Sequence, residues 1–225
     1  MDFLVTDVFE KGASDGTWNL LWYQYIEAIG RQCVNPDRKL RAQALNYFQR
    51  VLLSQEVHSR QGFDWIATFD RAIFPLIATM LKPEVYEIDP NGMAATRLQG
   101  ASLLCKIFLQ YVIQVQQHSK DVLSLWIRIL DTLDRLVNSG QRDSLKESVV
   151  ESLKNVILVV SSSEFGADEE FWDQTWKRLD SFVPGLKEEL FPAAPPSPPA
   201  PPAPETTPQT EQNPEAVTET PPASS

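Results

Sequence analysis

The sequence is poor in the residue types that carry out catalysis, and this scarcity limits the functions it can have. Its 225 residues include only two histidines, His58 and His118, and only two cysteines, Cys33 and Cys105. The histidines fall in segments expected to be loops, and neither pairs with a cysteine or serine at a nucleophile spacing. We therefore expect solvated loop histidines rather than a catalytic base or a metal ligand, and an enzyme is disfavoured.

Long apolar runs and basic leader segments are also missing. No stretch approaches the ~20 apolar residues that a membrane-spanning helix needs. The first seven residues contain no basic region and begin no long apolar run, so no signal peptide is expected. The cysteines are expected to be buried free thiols, which fits a reducing compartment. These features predict a cytoplasmic chain.

The sequence also contains no glycine-rich phosphate-binding loop and no recognisable metal-binding motif. Three acids, Asp168, Glu169 and Glu170, stand together, but the helix dipole favours negative charge at a helix start and explains them more simply than a cation site does. The turn signal Asp89-Pro90-Asn91-Gly92 lacks the later acidic ligands of a calcium loop. The sequence therefore predicts no catalytic residue, no metal ligand, no cofactor and no small-molecule substrate.

The charge balance is acidic. The formal net charge is −10, of which four glutamates after residue 191 contribute −4. The remaining −6 repels phosphate backbones at long range. Nucleic acid is therefore not expected as the main partner.

The C-terminal stretch differs in composition from the rest. Residues 192–225 hold 12 of the chain's 17 prolines and contain no Lys, no Arg and no aromatic residue. Their PxxP spacings favour polyproline II, but the basic residue that SH3 recognition usually uses is missing. We expect a flexible 1–16 segment, a helical domain over 17–191 and a disordered tail rich in Pro, Thr and Glu over 192–225.

Apolar residues recur at helical spacing through the domain, and no alternating run is long enough for a sheet. They predict seven helices at about 17–33, 37–54, 63–81, 93–116, 120–138, 142–160 and 168–182. The clearest apolar face comprises Leu145, Val149, Leu153, Val156, Ile157 and Val160. A second comprises Leu40, Ala44, Tyr47, Phe48, Val51 and Leu52. Pro75 is expected to kink the third helix.

The predicted helices pair into hairpins that begin near residues 37, 93 and 142. Each hairpin has about 45 residues, a length within the range of HEAT and armadillo repeats. Single hairpins of this kind cannot bury their own apolar face, so three stacked units and the leading helix share one core. The predicted fold is an all-α, HEAT- or armadillo-like solenoid, with an irregular helical bundle as the alternative.

The densest basic cluster consists of Arg38, Lys39 and Arg41. Contact with anionic lipid headgroups or an acidic partner is one interpretation. A solvated helix face is the simpler one, and both stay open at this stage.

Several motifs resemble one family. The first group is Asn35-Pro36-Asp37-Arg38, Arg41-Ala42, Ala44-Leu45 and Gln49-Arg50-Val51-Leu52-Leu53. The second is Gly92-Met93, Thr96-Arg97 and Ala101-Ser102-Leu103-Leu104. The third is Leu125-Trp126, Ile129-Leu130-Asp131, Glu151-Ser152-Leu153-Lys154-Asn155 and the closing Arg178-Leu179-Asp180, Phe182, Pro184, Leu186 and Glu189-Leu190-Phe191. In this order they resemble the C-terminal region of the large Golgi Arf guanine-nucleotide exchange factors (the GBF/Gea/GNOM class), over about residues 17–191.

The resemblance implies a helical region downstream of the exchange domain, whose catalytic glutamate loop has no counterpart here. It therefore implies a non-catalytic regulatory or scaffolding solenoid, peripheral on Golgi membranes, that supports Arf activation and vesicle traffic between endoplasmic reticulum and Golgi. The implied partners are Arf- or Rab-type small GTPases, the rest of the exchange factor, and the Golgi membrane. A free-standing helical-repeat adaptor with a proline-rich tail is the alternative.

Overall fold

The computed structural model describes residues 15–59, 63–114, 120–139 and 143–192. The chain divides into two units, Met1–Pro192 and Ala193–Ser225. The second unit, which holds nearly all of the predicted disordered tail, lies outside the described residues, as does most of the predicted flexible segment 1–16.

Helices account for nearly all of the described chain, and no strand occurs within those ranges. The longer helices are α1 (Asp15–Gln32), α2 (Arg38–Leu52), α3 (Trp65–Thr68, Phe69–Ile73 and Phe74–Met80, in continuous succession), α4 (Pro90–Gln114), α5 (Lys120–Val137), α6 (Asp143–Ser161) and α7 (Glu169–Leu179). Shorter helical pieces are Gln55–His58, Pro83–Tyr86, the 3-10 turn Glu164–Ala167 and a closing helix α8 (Leu186–Leu190). None of the described helices is long and apolar enough to cross a bilayer.

The helices stack in two layers. In one layer α1 packs against α3, and α5 packs against α7. In the other, α2 packs against α4, and α4 packs along α6. Neighbours within a layer are two helices apart in the chain, which is the arrangement of stacked helical hairpins. The predicted all-α solenoid is therefore confirmed.

The hairpins are paired differently from the expectation. Periodicity alone leaves α1 as an extra leading helix and pairs α2 with α3, whereas α1 packs extensively along α2 in the structure. Only five residues separate α1 from α2, but twelve separate α2 from α3. The short link brings α1 and α2 together as a hairpin, and the longer link carries the chain back to the first layer.

The core confirms one predicted apolar face and corrects the other. All six residues of the predicted α6 face are buried, with exposed fractions of at most 3%. In α2, Leu40 is 52% exposed, and the buried positions are Arg41, Leu45, Phe48 and Leu52. The prediction is wrong at Leu40 because an arginine, and not a leucine, takes the core position in the first turn.

A π-helical segment precedes Pro75 in α3. Proline lacks the N–H group that an α-helix would bond to the carbonyl four residues earlier. Phe69–Ile73 is π-helical, and the N–H of Phe74 donates to the carbonyl of Phe69, five residues back. Such bulges bend helices. The irregularity expected at Pro75 therefore lies one turn earlier, and the helix continues to Met80.

The predicted turn at Asp89–Gly92 is instead the first turn of α4. Asp89 accepts a hydrogen bond from the N–H of Gly92 through Oδ1 (3.1 Å), as an N-cap residue does. Pro90 then occupies the first helical position, where its missing N–H costs nothing. The helix therefore begins three residues earlier than predicted.

Two other helix boundaries follow the sequence. The hydroxyl groups of Ser161 and Ser162 both donate to the carbonyl of Leu158 at 2.9 Å, where α6 ends. Asp168 caps α7 by accepting from the N–H of Phe171 (3.0 Å), as expected for an acid at a helix start.

We expect Leu153→Ala to lower the free energy of unfolding by ~2–5 kcal/mol, because Leu153 is fully buried in α6 and its truncation leaves a cavity. Urea unfolding of the full chain measures the change. Leu40→Ala is the matched control, since the same truncation at an exposed site should change stability little. Equal effects of the two substitutions would contradict the assigned face of α6.

Candidate interaction surface

The structure separates the three residues of the basic cluster. Arg38 and Lys39 are exposed, whereas Arg41 is 1% exposed and belongs to the interior. A solvated face is therefore the wrong description for Arg41, which also cannot reach a membrane or partner. Contact through Arg38 and Lys39 stays a prediction.

Arg41 lies at a junction between α2 and α4 that centres on Asp89. The guanidinium of Arg41 donates from Nη2 to Asp89 Oδ2 (2.5 Å) and from Nε to Thr96 Oγ1 (3.0 Å). Arg38 donates from Nε to the same carboxylate oxygen (2.9 Å). Hydrogen bonds from Arg38 and then Arg41 hold the pKa of Asp89 well below its usual range. The carboxylate therefore stays ionised and binds two arginines at once.

Gly92 makes room for this junction. A Cβ atom at Gly92 would lie 2.0 Å from Asp89 Oδ2 and 2.4 Å from Arg41 Nη2. Both atoms belong to the ion pair, so an added methyl group would displace the pair from its present position. Arg41 comes from the first group of family-like motifs and Gly92 from the second. Both therefore take part in the same junction between helices.

Arg97, in the next turn of α4, connects the ends of two other helices. It is 2% exposed, and its Nε donates to the carbonyl of Met80 (2.7 Å) at the end of α3. Its Nη1 donates to Ser139 Oγ (3.2 Å) just after α5, and its guanidinium lies 4.4 Å from the ring centroid of Tyr86. Helix C-termini carry partial negative charge, so the C-terminal ends of α3 and α5 both favour the buried positive charge of Arg97.

Residues of the third motif group join α5 to α7. Arg178 binds Asp131 through Nε and donates from Nη2 to Asp134 Oδ2 (2.7 Å). Beside this ion pair, the indole Nε1 of Trp126 donates to Thr175 Oγ1 (2.9 Å) in the core. These hydrogen bonds join residues 44 to 49 positions apart in the sequence and fix α7 against α5.

The same kind of contact recurs along the first layer. Arg71 of α3 binds Glu27 of α1 (2.8 Å) and lies 4.4 Å from the ring centroid of Tyr23. Its counterpart in α5 is Arg128, which binds Asp70 of α3 (2.5 Å) and lies over the ring of Phe74. Arg71, Arg128 and Arg178 therefore each bind an acidic residue of the preceding helix in the first layer. This is an internal repeat of contacts that the sequence periodicity does not reveal.

His58 is buried, which corrects the expectation of a solvated loop. It is 7% exposed, its Nε2 hydrogen-bonds to the carbonyl of Leu52 at the end of α2, and the rings of Phe63 and Trp65 pack on it. Its Nδ1 atom has no partner within the described part of the chain. Burial lowers the pKa of His58, and the bond to Leu52 opposes this shift. His118 lies outside the described residues.

The cysteines are buried free thiols, as predicted. Neither Cys33 nor Cys105 forms a disulfide, and burial raises the pKa of both thiols to about 12. A thiol that stays protonated is a poor nucleophile. Burial and a raised pKa therefore favour a packing role for both residues.

The described residues contain no metal-binding cluster of histidine, cysteine or acidic side chains. A groove of about 300 Å³ lies between α1 and α3, lined by Glu27, Gly30, Arg31, Val34, Arg71, Ala72, Pro75, Leu76 and Thr79. Glu27 and Arg71 bind each other there, so these two charged groups of the groove are already paired. It offers no set of convergent polar groups for a ligand.

Charge is distributed unevenly along the solenoid. Residues 1–142 contain fifteen acidic and fifteen basic residues, whereas residues 143–192 contain eleven acidic and five basic ones. Residues 143–192 therefore account for the whole net charge of −6 of residues 1–192. The total charge does not reveal this asymmetry, which appears when the charged residues are counted separately for each part of the helical region.

Residues 22–186 match the model of the GBF1-like tetratricopeptide repeat region. A similar protein is the Golgi-specific brefeldin A-resistance guanine nucleotide exchange factor 1 homolog of Caenorhabditis elegans, 31% identical over 179 residues, which are 79% of this chain and 9% of the worm protein. The ARF guanine-nucleotide exchange factor GNOM of Arabidopsis thaliana is 28% identical over 184 residues, 76% of this chain and 12% of the plant protein. The chain spans about a tenth of the length of these relatives. No solved structure matches it.

We expect Gly92→Ala to destabilise the chain by ~1–3 kcal/mol, because the added methyl group overpacks the Asp89 junction. Gly30→Ala is the control: its Cβ would meet only Phe48 at 3.6 Å, so the better helix propensity of alanine should leave stability equal or higher. Urea unfolding compares them. A Gly92→Ala protein as stable as the Gly30→Ala protein would contradict the junction.

Stability should fall between pH 7 and pH 5 because of His58. The folded-state pKa is lowered, so the contribution of the neutral ring is complete above the unfolded pKa of about 6.5 and is lost as the pH falls toward the folded value. Urea unfolding at several pH values measures the slope. His58→Gln should flatten it and His118→Gln should keep it. An unchanged slope in His58→Gln would refute this origin.

Proposed function

The chain belongs to the GBF1-like tetratricopeptide repeat family, and from that membership we propose that it is a non-catalytic regulatory or scaffolding part of a Golgi Arf guanine-nucleotide exchange factor. In this role it supports Arf activation and vesicle traffic between endoplasmic reticulum and Golgi through recruitment or partner binding. The relatives named as exchange factors, one of them Golgi-specific, support the proposal.

The observation that carries the proposal is the use of the motif residues. Arg41, Arg97 and Arg178 join helices to one another through hydrogen bonds, and Gly92 makes room for one of these junctions. Motif residues that hold the repeats together are typical of a protein that binds partners through its surface. The chain would then act on exchange without catalysing it.

A protein partner fits the surface better than direct binding to an anionic bilayer does. The exposed Arg38 is already paired with Asp89 (2.5 Å), and the exposed acids Glu84 and Glu87 lie just before that aspartate in sequence. Negative charge near an anionic membrane is unfavourable. We therefore propose a cytoplasmic protein that is peripheral on Golgi membranes through its partners. The candidate partners are Arf- or Rab-type GTPases and the rest of the exchange factor.

The test is a chimera. The matched 179-residue stretch of the worm relative is deleted, or replaced by this chain, and Golgi recruitment and cellular Arf activation are measured. We expect the deletion to lose one or both, the chimera to restore them, and a Gly92→Ala chimera to restore less. The isolated chain should not accelerate nucleotide release from Arf.

Two outcomes would overturn the proposal. A deletion protein that is recruited and active at full level would show that the region has no regulatory role. Acceleration of nucleotide release by the isolated chain would make it a catalyst. Full rescue by the chain expressed separately from the deletion protein would instead favour the free-standing adaptor.

A further inference from the structure

Within the described residues, which end at 192, no long second-layer helix follows α7. In the first layer α1, α3 and α5 are each followed by a long second-layer helix, namely α2, α4 and α6. Among the described residues α7 is followed only by the five-residue α8, which packs on α6. The fourth hairpin therefore lacks most of its second helix in this part of the chain.

The side of α6 that faces this gap can be identified from one ion pair. Lys154 of α6 donates to Glu189 of α8 (2.6 Å), so its side of the helix faces α8. Residues three or four apart share a helix face, which adds Glu147, Glu151 and Leu158 to this side. We call Glu147, Glu151, Lys154, Leu158 and the adjoining Val159 the α6 flank.

Apolar side chains are exposed at one end of the flank. Leu158 is 45% exposed and Val159 is 41% exposed, although both lie in a helix whose other face forms the core. Leu158 lies one turn beyond Lys154, the residue that contacts α8, and Val159 is the next residue around the helix. A neighbouring helix running along α6 would cover them, and α8 is too short to do so.

Acidic side chains occupy the rest of the flank. Glu147 and Glu151 are exposed on α6, and Glu188 and Glu189 are exposed on α8. Lys154 forms ion pairs with Glu151 (3.1 Å) and Glu189 (2.6 Å), so it offsets one of these four negative charges and leaves the others in excess. Lys146 lies on an adjoining side, and the whole segment 143–192 carries a net charge of −6.

We propose that the α6 flank docks a basic amphipathic helix of a partner protein, which takes the second-layer position beside α6 and completes the fourth hairpin. Its apolar side covers Leu158 and Val159, and its lysines or arginines face Glu147 and Glu151. Stretching from 147 to 159, the flank is ~18 Å long, about three and a half helical turns. The inference deepens the partner-binding role proposed above and rests on it.

Charge selects this occupant over others. An anionic bilayer or a nucleic acid would be repelled by the flank. A symmetric contact with a second copy would bring the same acids together, because both copies use the same patch. A basic helix gains attraction along the acidic part and burial at the apolar part, the helix-in-groove mode of recognition.

The test uses the full chain and a fluorescein-labelled leucine–lysine amphipathic peptide of ~18 residues, long enough to cover the flank. Fluorescence anisotropy measures the Kd, with a leucine–glutamate peptide of the same pattern as the negative probe. We expect binding of the lysine peptide only. Glu147→Lys combined with Glu151→Lys should weaken it about tenfold, and Leu158→Ser should weaken it about fivefold.

Matched controls separate docking from general attraction to an acidic protein. Glu84→Lys combined with Glu87→Lys makes the same charge change at exposed residues outside α6 and α8, and Leu40→Ser removes a leucine that is 52% exposed, against 45% for Leu158. Both controls should bind the peptide within about twofold of the unmodified chain. All substituted positions are exposed, and circular dichroism checks that each variant folds.

Three results would overturn the proposal: absence of peptide binding, equal weakening by the flank and control charge reversals, or a self-association that Leu158→Ser abolishes in sedimentation. The last result would make a second copy the occupant. The assay contains neither Arf nor a membrane, so it can fail while the exchange-factor chimera succeeds, and the reverse also holds.

Discussion

Arg41 is a cation enclosed in a helical core, and the junction between α2 and α4 is arranged around its charge. A buried charge without partners costs several kcal/mol. Asp89 supplies the counter-charge and Thr96 a further acceptor, and the absence of a side chain at Gly92 lets the carboxylate come close enough. Since Asp89 also caps α4, the ion pair sets where that helix begins. Arg41 thereby joins α2 to α4 within the second layer.

Ion pairs between an arginine and an acid of a neighbouring helix recur elsewhere in the solenoid. Arg71, Arg128 and Arg178 each bind an acid of the preceding first-layer helix. Ion pairs between helices fix register and angle as well as contributing energy, so the repeats present a defined outer surface. The chain is neutral over residues 1–142 and acidic over 143–192. The proposed binding of a partner helix depends on this difference in charge between the two parts of the chain.

Local periodicity predicts those parts of the fold in which apolar side chains alone decide burial. The α6 face from Leu145 to Val160 is an example, and the all-helical solenoid class follows from faces of this kind. Periodicity fails at Leu40 because the core position belongs to Arg41, whose partner Asp89 is 48 residues away. His58 is misplaced because its burial depends on Phe63 and Trp65, which lie outside its own short helix, at the start of α3. Helical periodicity records neither of these contacts nor the Arg41–Asp89 ion pair, although the family motifs do mark Arg41 and Gly92.

The central claim is that Asp89 is needed because Arg41 is buried, and a double-mutant cycle with Arg41→Met and Asp89→Asn tests it most directly. Unfolding in urea gives the stability of the four proteins. We expect Asp89→Asn to be strongly destabilising in the presence of Arg41, and the double variant to be more stable than Asp89→Asn alone, because the uncompensated charge is gone. If Arg41→Met lowers stability equally in the unmodified chain and in the Asp89→Asn background, the two side chains act independently and the account of the junction is wrong.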